Sequence, residues 1–170
     1  YRQEKEWKTL GVELNRATMA NWIMAASRDW LTPILKLMHQ KLLQEKYIHA
    51  DETPVQVMNE KGRKNTSDSY MWVYSTGKHA KHPIRIFEYQ PGRKGIYPQE
   101  FLKGFTAGYL HSDAYAGYKK VENITRCLCW SHLRRKFVDA IPKDIRGPDA
   151  TLANQGITYC NTLFEIEKNL

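Results

Sequence analysis

The sequence predicts an α/β protein: an N-terminal helical segment, then a domain whose elements run β-β-β-α-β-α-β-α. Three observations predict it. Apolar residues recur at helical spacing as far as Lys46, and the texture changes at Tyr47 to short apolar or alternating runs bounded by turn residues. A length of 170 residues at 42% hydrophobic is enough for one sizeable core.

Each element has its own signal. Leu10-Gly11 breaks a charged helical stretch, after which Met19, Trp22, Ile23, Ala26 and Trp30 recur in helical phase, so helix, glycine turn, helix is expected. Such a pair resembles a helix-turn-helix that presents Asn15, Arg16, Thr18 and Asn21 to a major groove; a hairpin that only packs on the domain is the equal alternative. Thr32-Pro33 supplies an N-cap and a first-turn proline for a third helix striped by Leu31, Leu35, Met38 and Leu42. Strands are expected over 47–58, 70–75 and 84–89, joined as antiparallel neighbours by the polar connections from Asn59-Glu-Lys-Gly62 and from Gly77 to Pro83. A short helix from Pro98 to Phe105, a strand from Gly108 to Ser112, a helical turn over 114–122 and a strand from Ile124 to Trp130 follow. Ser131 is expected to cap a helix that reaches Ile141, with Leu133, Phe137 and Ile141 buried, Arg134 at the flank, and His132, Arg135, Lys136 and Asp139 opposite. After a loop from Lys143 to Asp149, helical texture returns from Leu152 to Leu170, which sets boundaries at 1–46, 47–142 and 143–170.

Composition narrows the partners. With 26 Lys+Arg against 18 Asp+Glu the chain carries a net charge of +8, which suits a polyanion such as nucleic acid or an acidic membrane surface. No apolar run approaches the roughly 18 residues of a membrane span. The opening Tyr1-Arg-Gln-Glu-Lys-Glu-Trp7 lacks an initiator Met and a secretory core and reads as the middle of a helix, so a piece of a longer protein is expected. Cys127, Cys129 and Cys160 are an odd number in a chain too large to need staples, and free thiols in a reducing cytoplasm are expected.

The element order resembles that of the ribonuclease H-like fold, a mixed five-stranded sheet with helices on its faces. That resemblance implies first and fourth strands side by side, which brings Asp51 of Ile48-His-Ala-Asp-Glu-Thr-Pro-Val-Gln-Val57 close to Asp113 of Tyr109-Leu-His-Ser-Asp-Ala-Tyr-Ala-Gly-Tyr118. Paired carboxylates offer hard oxygen ligands to Mg²⁺ or Mn²⁺, ions that serve phosphodiester cleavage. Singly, either acid reads as an ordinary turn or ion-pair residue. Glu52 points to the opposite sheet face by strand alternation, and His111 shares the face of Asp113, as a substrate-orienting or a structural residue. Cys127-Leu-Cys129-Trp-Ser-His132 could start a zinc site but shows no fourth ligand, so buried thiols are the stronger reading. Arg134-Arg-Lys136 suits phosphate contacts or a solvated basic face. The loops Lys61-Gly-Arg-Lys64, Lys78 to Arg85 and Gly92-Arg-Lys94, interleaved with Trp72 and Tyr89, extend a possible nucleic-acid surface, although the aromatics equally suit core packing.

Leu10-Gly-Val-Glu-Leu-Asn-Arg-Ala-Thr-Met-Ala-Asn-Trp22, His49-Ala-Asp-Glu-Thr-Pro-Val-Gln-Val57, Tyr70-Met-Trp-Val-Tyr74, His111-Ser-Asp-Ala-Tyr-Ala-Gly-Tyr118 and Cys129-Trp-Ser-His-Leu-Arg-Arg-Lys-Phe137, in this order, resemble the central region of the insertion sequence sixty-six family of bacterial transposases. The resemblance implies a DDE transposase that uses Mg²⁺, with Mn²⁺ substituting, to cut DNA at element ends and join the freed 3′-hydroxyl to target DNA. It also implies a bacterial cytoplasmic protein acting as a homo-oligomer on DNA. By position Asp51 and Asp113 match the first two catalytic, metal-binding acids. The third, a Glu, is expected beyond Leu170, with Asp139, Glu165 and Glu167 as substitutes within the chain. DNA contacts are expected from His132, Arg134, Arg135, Lys136, Arg16 and Asn21. The alternatives are a non-catalytic DNA-binding fragment and another ribonuclease H-like nuclease, which substrate preference would separate.

Overall fold

A computed structural model describes residues 1–141 and 151–169; the loop expected from Lys143 to Asp149 and the terminal Leu170 lie outside the described residues. The chain forms two compact units, Tyr1–Gln44 and Glu45–Leu170.

The first unit is helical. α1 (Arg2–Thr9) ends in a turn at Gly11, whose φ of 77° favours glycine, and α2 (Arg16–Ala26) follows. Asn15, which is exposed, starts α2 by accepting a hydrogen bond from the Thr18 amide at 2.9 Å, so its side chain oxygen is engaged as a cap. The break expected at Thr32 is absent. A π-helical turn (Ser27–Leu31) runs straight into α3 (Thr32–Leu42), and the Thr32 hydroxyl donates to the Ser27 carbonyl at 2.8 Å. Pro33 explains the widened turn: it has no N–H to donate, and its ring crowds the carbonyl one turn back, a conflict that a π-turn relieves. The apolar stripe of α3 is also less covered than expected, with Leu42 buried, Met38 half-buried, and Leu31 and Leu35 exposed.

In the second unit, β1 (Tyr47–Gln56), β2 (Asp68–Thr76) and β3 (Arg85–Gln90) form an antiparallel meander. β4 (Tyr109–Ser112) then pairs parallel to β1, and β5 (Thr125–Leu128) parallel to β4. The five-stranded order β3-β2-β1-β4-β5 is the mixed sheet of the ribonuclease H-like fold. One face carries Ile48, Ala50, Trp72, Tyr74, Ile86 and Leu110, all buried. α4 (Ile96–Phe101) and a 3₁₀ helix (Ala116–Lys120) cover it: Phe101 stacks on Tyr74 at 3.8 Å between centroids, and Tyr118 meets Trp72 edge-on at 5.9 Å. Where these two coverings touch, backbone meets backbone, and a Cβ at Gly95 would lie 2.6 Å from the Gly117 carbonyl oxygen.

The opposite face is mixed, with His49, Asp51, Arg85 and His111 beside Val73 and Phe87, and α5 (Trp130–Asp139) and α6 (Leu152–Lys168) belong to its side. α5 begins one residue before Ser131, on Cys129 as N-cap without a side-chain hydrogen bond, so Ser131 is not the cap. Its buried stripe is shifted as well. Leu133 is exposed while His132, Arg134 and Phe137 are half-buried, because the helix turns His132 to the sheet and Phe137 to Gly156 of α6. No helix of the described residues is long and apolar enough to cross a membrane.

Candidate active site

Side chains alternate along β1, so Ile48, Ala50 and Glu52 face the core while His49 and Asp51 face the other side. On the neighbouring parallel strand His111 lies opposite His49. Two residues further along come Asp51 on β1 and Asp113 just past the end of β4. Both line one cleft of about 220 Å³, together with His49, Arg85, His111 and His132.

The two carboxylates differ in how firmly they are held. That of Asp51 is 54% exposed; it accepts the Glu52 amide at 2.9 Å and lies 4.0 Å from Nε2 of His132. Asp113 is more enclosed. Its Oδ1 accepts the Tyr115 amide at 2.9 Å, and its Oδ2 is 3.5 Å from the Arg93 guanidinium.

Arg93 joins the two sheet faces. Its Nε donates to Glu52 at 2.6 Å, and Tyr118 donates its hydroxyl to the other oxygen of Glu52, also at 2.6 Å. The guanidinium lies over the Tyr115 ring at 4.2 Å, and the Tyr115 hydroxyl donates to the Arg93 carbonyl. Burial holds the Glu52 carboxyl above its ordinary range; hydrogen bonds from Tyr118 and Arg93 pull it back in part, and the charge of Asp113 adds to the rise. Burial, then Glu52, pushes the Tyr118 hydroxyl far up, so it stays a donor. Desolvation works against the Arg93 cation, but Glu52 and Asp113 outweigh it and raise its pKa. By sequence Arg93 belongs to a basic surface loop, and no local signal marks a partner 41 residues away.

The other expected residues separate. His132 joins the acids, with its Nδ1 buried and without a hydrogen-bond partner among the described residues. Arg134 turns away to donate to Asn161 of α6 at 2.7 Å. Arg135 and Lys136 border an adjoining cleft that shares Asp113 and His132 with the first. In the other unit Arg16 and Asn21 are exposed on α2, Arg16 lying over the Tyr1 ring at 4.4 Å. None of the substitute acids enters the Asp51–Asp113 cleft: Glu167 lines a cleft with His49 and Tyr47, Glu165 one with Arg134 and Asn161, and Asp139 is exposed near the end of α5. Among the described residues no three of His, Cys, Asp and Glu converge as a metal-binding group, which applies to the Cys127, Cys129 and His132 arrangement too; all three cysteines are free thiols.

A family profile described as Transposase IS66 family matches residues 1–170. The chain belongs to that family. Among curated proteins this IS66-family chain is similar to the uncharacterized protein y4qI of Sinorhizobium fredii (strain NBRC 101917 / NGR234), at 28% identity over 82% of the chain and 28% of the relative. It is also similar to the uncharacterized protein y4jD of the same organism, at 25% identity over 100% of the chain and 34% of the relative. The IS66-family chain thus spans about 28% and 34% of the length of these relatives. No solved structure matches it.

Proposed function

We propose that this chain supplies two acids, Asp51 and Asp113, to a divalent-metal site for DNA strand cleavage and strand transfer by an IS66-family transposase. The observation that carries the reading is the register of β1 on β4, which leads both carboxylates into one cleft. The donor set fits a hard cation in part: two carboxylates at one spot, that of Asp51 half open, match the oxygen preference of Mg²⁺ or Mn²⁺. Among the described residues, no third acid lines this cleft. When bound, the ion supplies Lewis-acid stabilisation to the charge that builds on the phosphoryl group.

The protein's own groups do the positioning. Arg93, clamped by Glu52, holds Asp113 from one side while the Tyr115 amide holds it from the other. His132 stands beside Asp51 with Nε2 toward the carboxylate. Arg135 and Lys136 offer charge to DNA phosphates next to the acids, His132 and Arg134 flank them on the same helix, and Arg16 and Asn21 on α2 are exposed to a further stretch of duplex. Action on paired DNA ends implies a homo-oligomer on DNA.

Titration of the chain with Mn²⁺, followed by electron paramagnetic resonance, tests the reading. Weak binding that Asp51→Asn and Asp113→Asn each abolish, with no nicking of plasmid DNA by this chain alone, is the expected result. Mn²⁺ binding indifferent to both substitutions overturns the site. Nicking that Asp51→Ala removes would show that a third acid lies within these residues after all.

A further inference from the structure

Beside the acids lies a second, larger cleft of about 740 Å³, and its lining is of two kinds. Leu128, Trp130 and Leu133 form an apolar wall although they are 59%, 48% and 42% exposed. Arg135 and Lys136 stand at its border, exposed, and neither makes an ion pair among the described residues. Asp113, the acid of this lining, is already engaged by Arg93.

An open apolar wall with an indole, bordered by cations that make no ion pair among the described residues and continuous with the Asp51–Asp113 cleft, matches the two halves of a nucleotide. The base has a π-face that stacks on an aromatic side chain, and its phosphate seeks the cations. A base inside a duplex cannot reach such a wall, because it is already stacked between its neighbours; it must first leave the stack. We infer that this cleft receives an unstacked nucleobase of the DNA strand adjoining the Asp51–Asp113 cleft, with Trp130 as its stacking platform and Arg135 and Lys136 on the flanking phosphates. The inference rests on the DNA reading above and deepens it by naming what the substrate must present: a strand locally free of pairing.

The test compares two single-stranded probes of equal charge, a twelve-nucleotide oligothymidylate and an abasic twelve-mer, by fluorescence anisotropy at one fixed salt concentration. Trp130→Ala is expected to weaken oligothymidylate binding about tenfold and leave the abasic strand unchanged, a size set by the usual worth of one base–aromatic stack. Trp130→Phe, which keeps an aromatic face, is expected to restore most of the loss, and the unchanged abasic binding separates stacking from a merely structural role. Arg135→Ala is expected to weaken both probes alike. If Trp130→Ala weakens both probes equally, or neither, the base-binding inference falls while the DNA reading stands. If neither probe binds the unaltered chain in a salt-dependent way, the DNA reading itself fails and takes this inference with it.

Discussion

The imidazoles of His49 and His111 meet edge to face, with centroids 4.7 Å apart, planes at 86° and Nδ1 atoms 2.9 Å from each other. This contact is a rung of the β1–β4 ladder, and it fixes which residues come next on this face: Asp51 and Asp113. It also restricts protonation. One Nδ1 must donate and the other accept, so two imidazolium rings cannot keep the contact.

Partial desolvation lowers the His49 pKa below the ordinary 6.5, the charge of His111 lowers it further, and Glu167 of α6 partly opposes both. Near pH 6.5 the unfolded chain therefore takes up a proton that the folded chain refuses until lower pH, so stability is lost as pH falls from that value through the folded pKa. In an NMR titration the His49 ring should titrate below 6.5, and Glu167→Gln should move its midpoint lower still. A midpoint at or above 6.5 contradicts this account.

Glu52 has a side chain only 1% exposed and two strong donors in Arg93 and Tyr118. Glu52→Ala strands the Tyr118 hydroxyl and loosens Arg93, and should cost about 2–3 kcal/mol in urea unfolding. The pH dependence has the opposite sense to that of His49. Because the folded pKa is raised, the folded chain retains a proton that the unfolded chain releases at an ordinary 4.5, so stability falls as pH rises from there through the folded value. Glu52→Gln should flatten that arm of the curve, and an unchanged slope would mean that Glu52 is not its source.

At Gly95 the obstacle is backbone, the Gly117 carbonyl at 2.6 Å from an added Cβ, and backbone yields less readily than a side chain tip. Gly95→Ala should destabilise the chain by about 1–3 kcal/mol. Since Gly95 follows closely on Arg93, the same change should also weaken Mn²⁺ binding through Asp113. Wild-type thermal stability in this variant would show that the α4 and 3₁₀ segments are looser than the structure has them.

Arg135 and Lys136 lie next to the acids and make no ion pair among the described residues. If each neutralises one phosphate, Arg135→Ala and Lys136→Ala should each reduce the slope of log affinity against log salt by about 1 on duplex DNA. Arg134→Ala, which instead breaks the bond to Asn161, should act mainly on stability. Equal salt slopes in wild type and both of these alanine variants would remove the phosphate-contact assignment.

Part of this protein is legible residue by residue. Strand alternation around Asp51 separates it from Glu52 without any structure, since neighbours on a strand face opposite ways. Caps and stripes proved less legible. Ser131 has the chemistry of an N-cap, yet α5 starts before it, and Thr32 lies within a continuous run because a π-turn absorbs Pro33. Leu133 fits a buried stripe by spacing, but the face that α5 buries was set by the sheet and α6, which no local pattern encodes.

Local order followed from the sequence by itself: the helical segment, the succession of strands and helices, and the acids in the first strand and at the end of the fourth, because periodicity and turn residues act over a few neighbouring positions. Tertiary structure alone decided the partners. The register that leads Asp51 and Asp113 into one cleft, the Arg93 clamp between Glu52 and Asp113, and the turning of His132 inward with Trp130 left open all depend on contacts between residues far apart in the chain, and such contacts exist only once the sheet has closed.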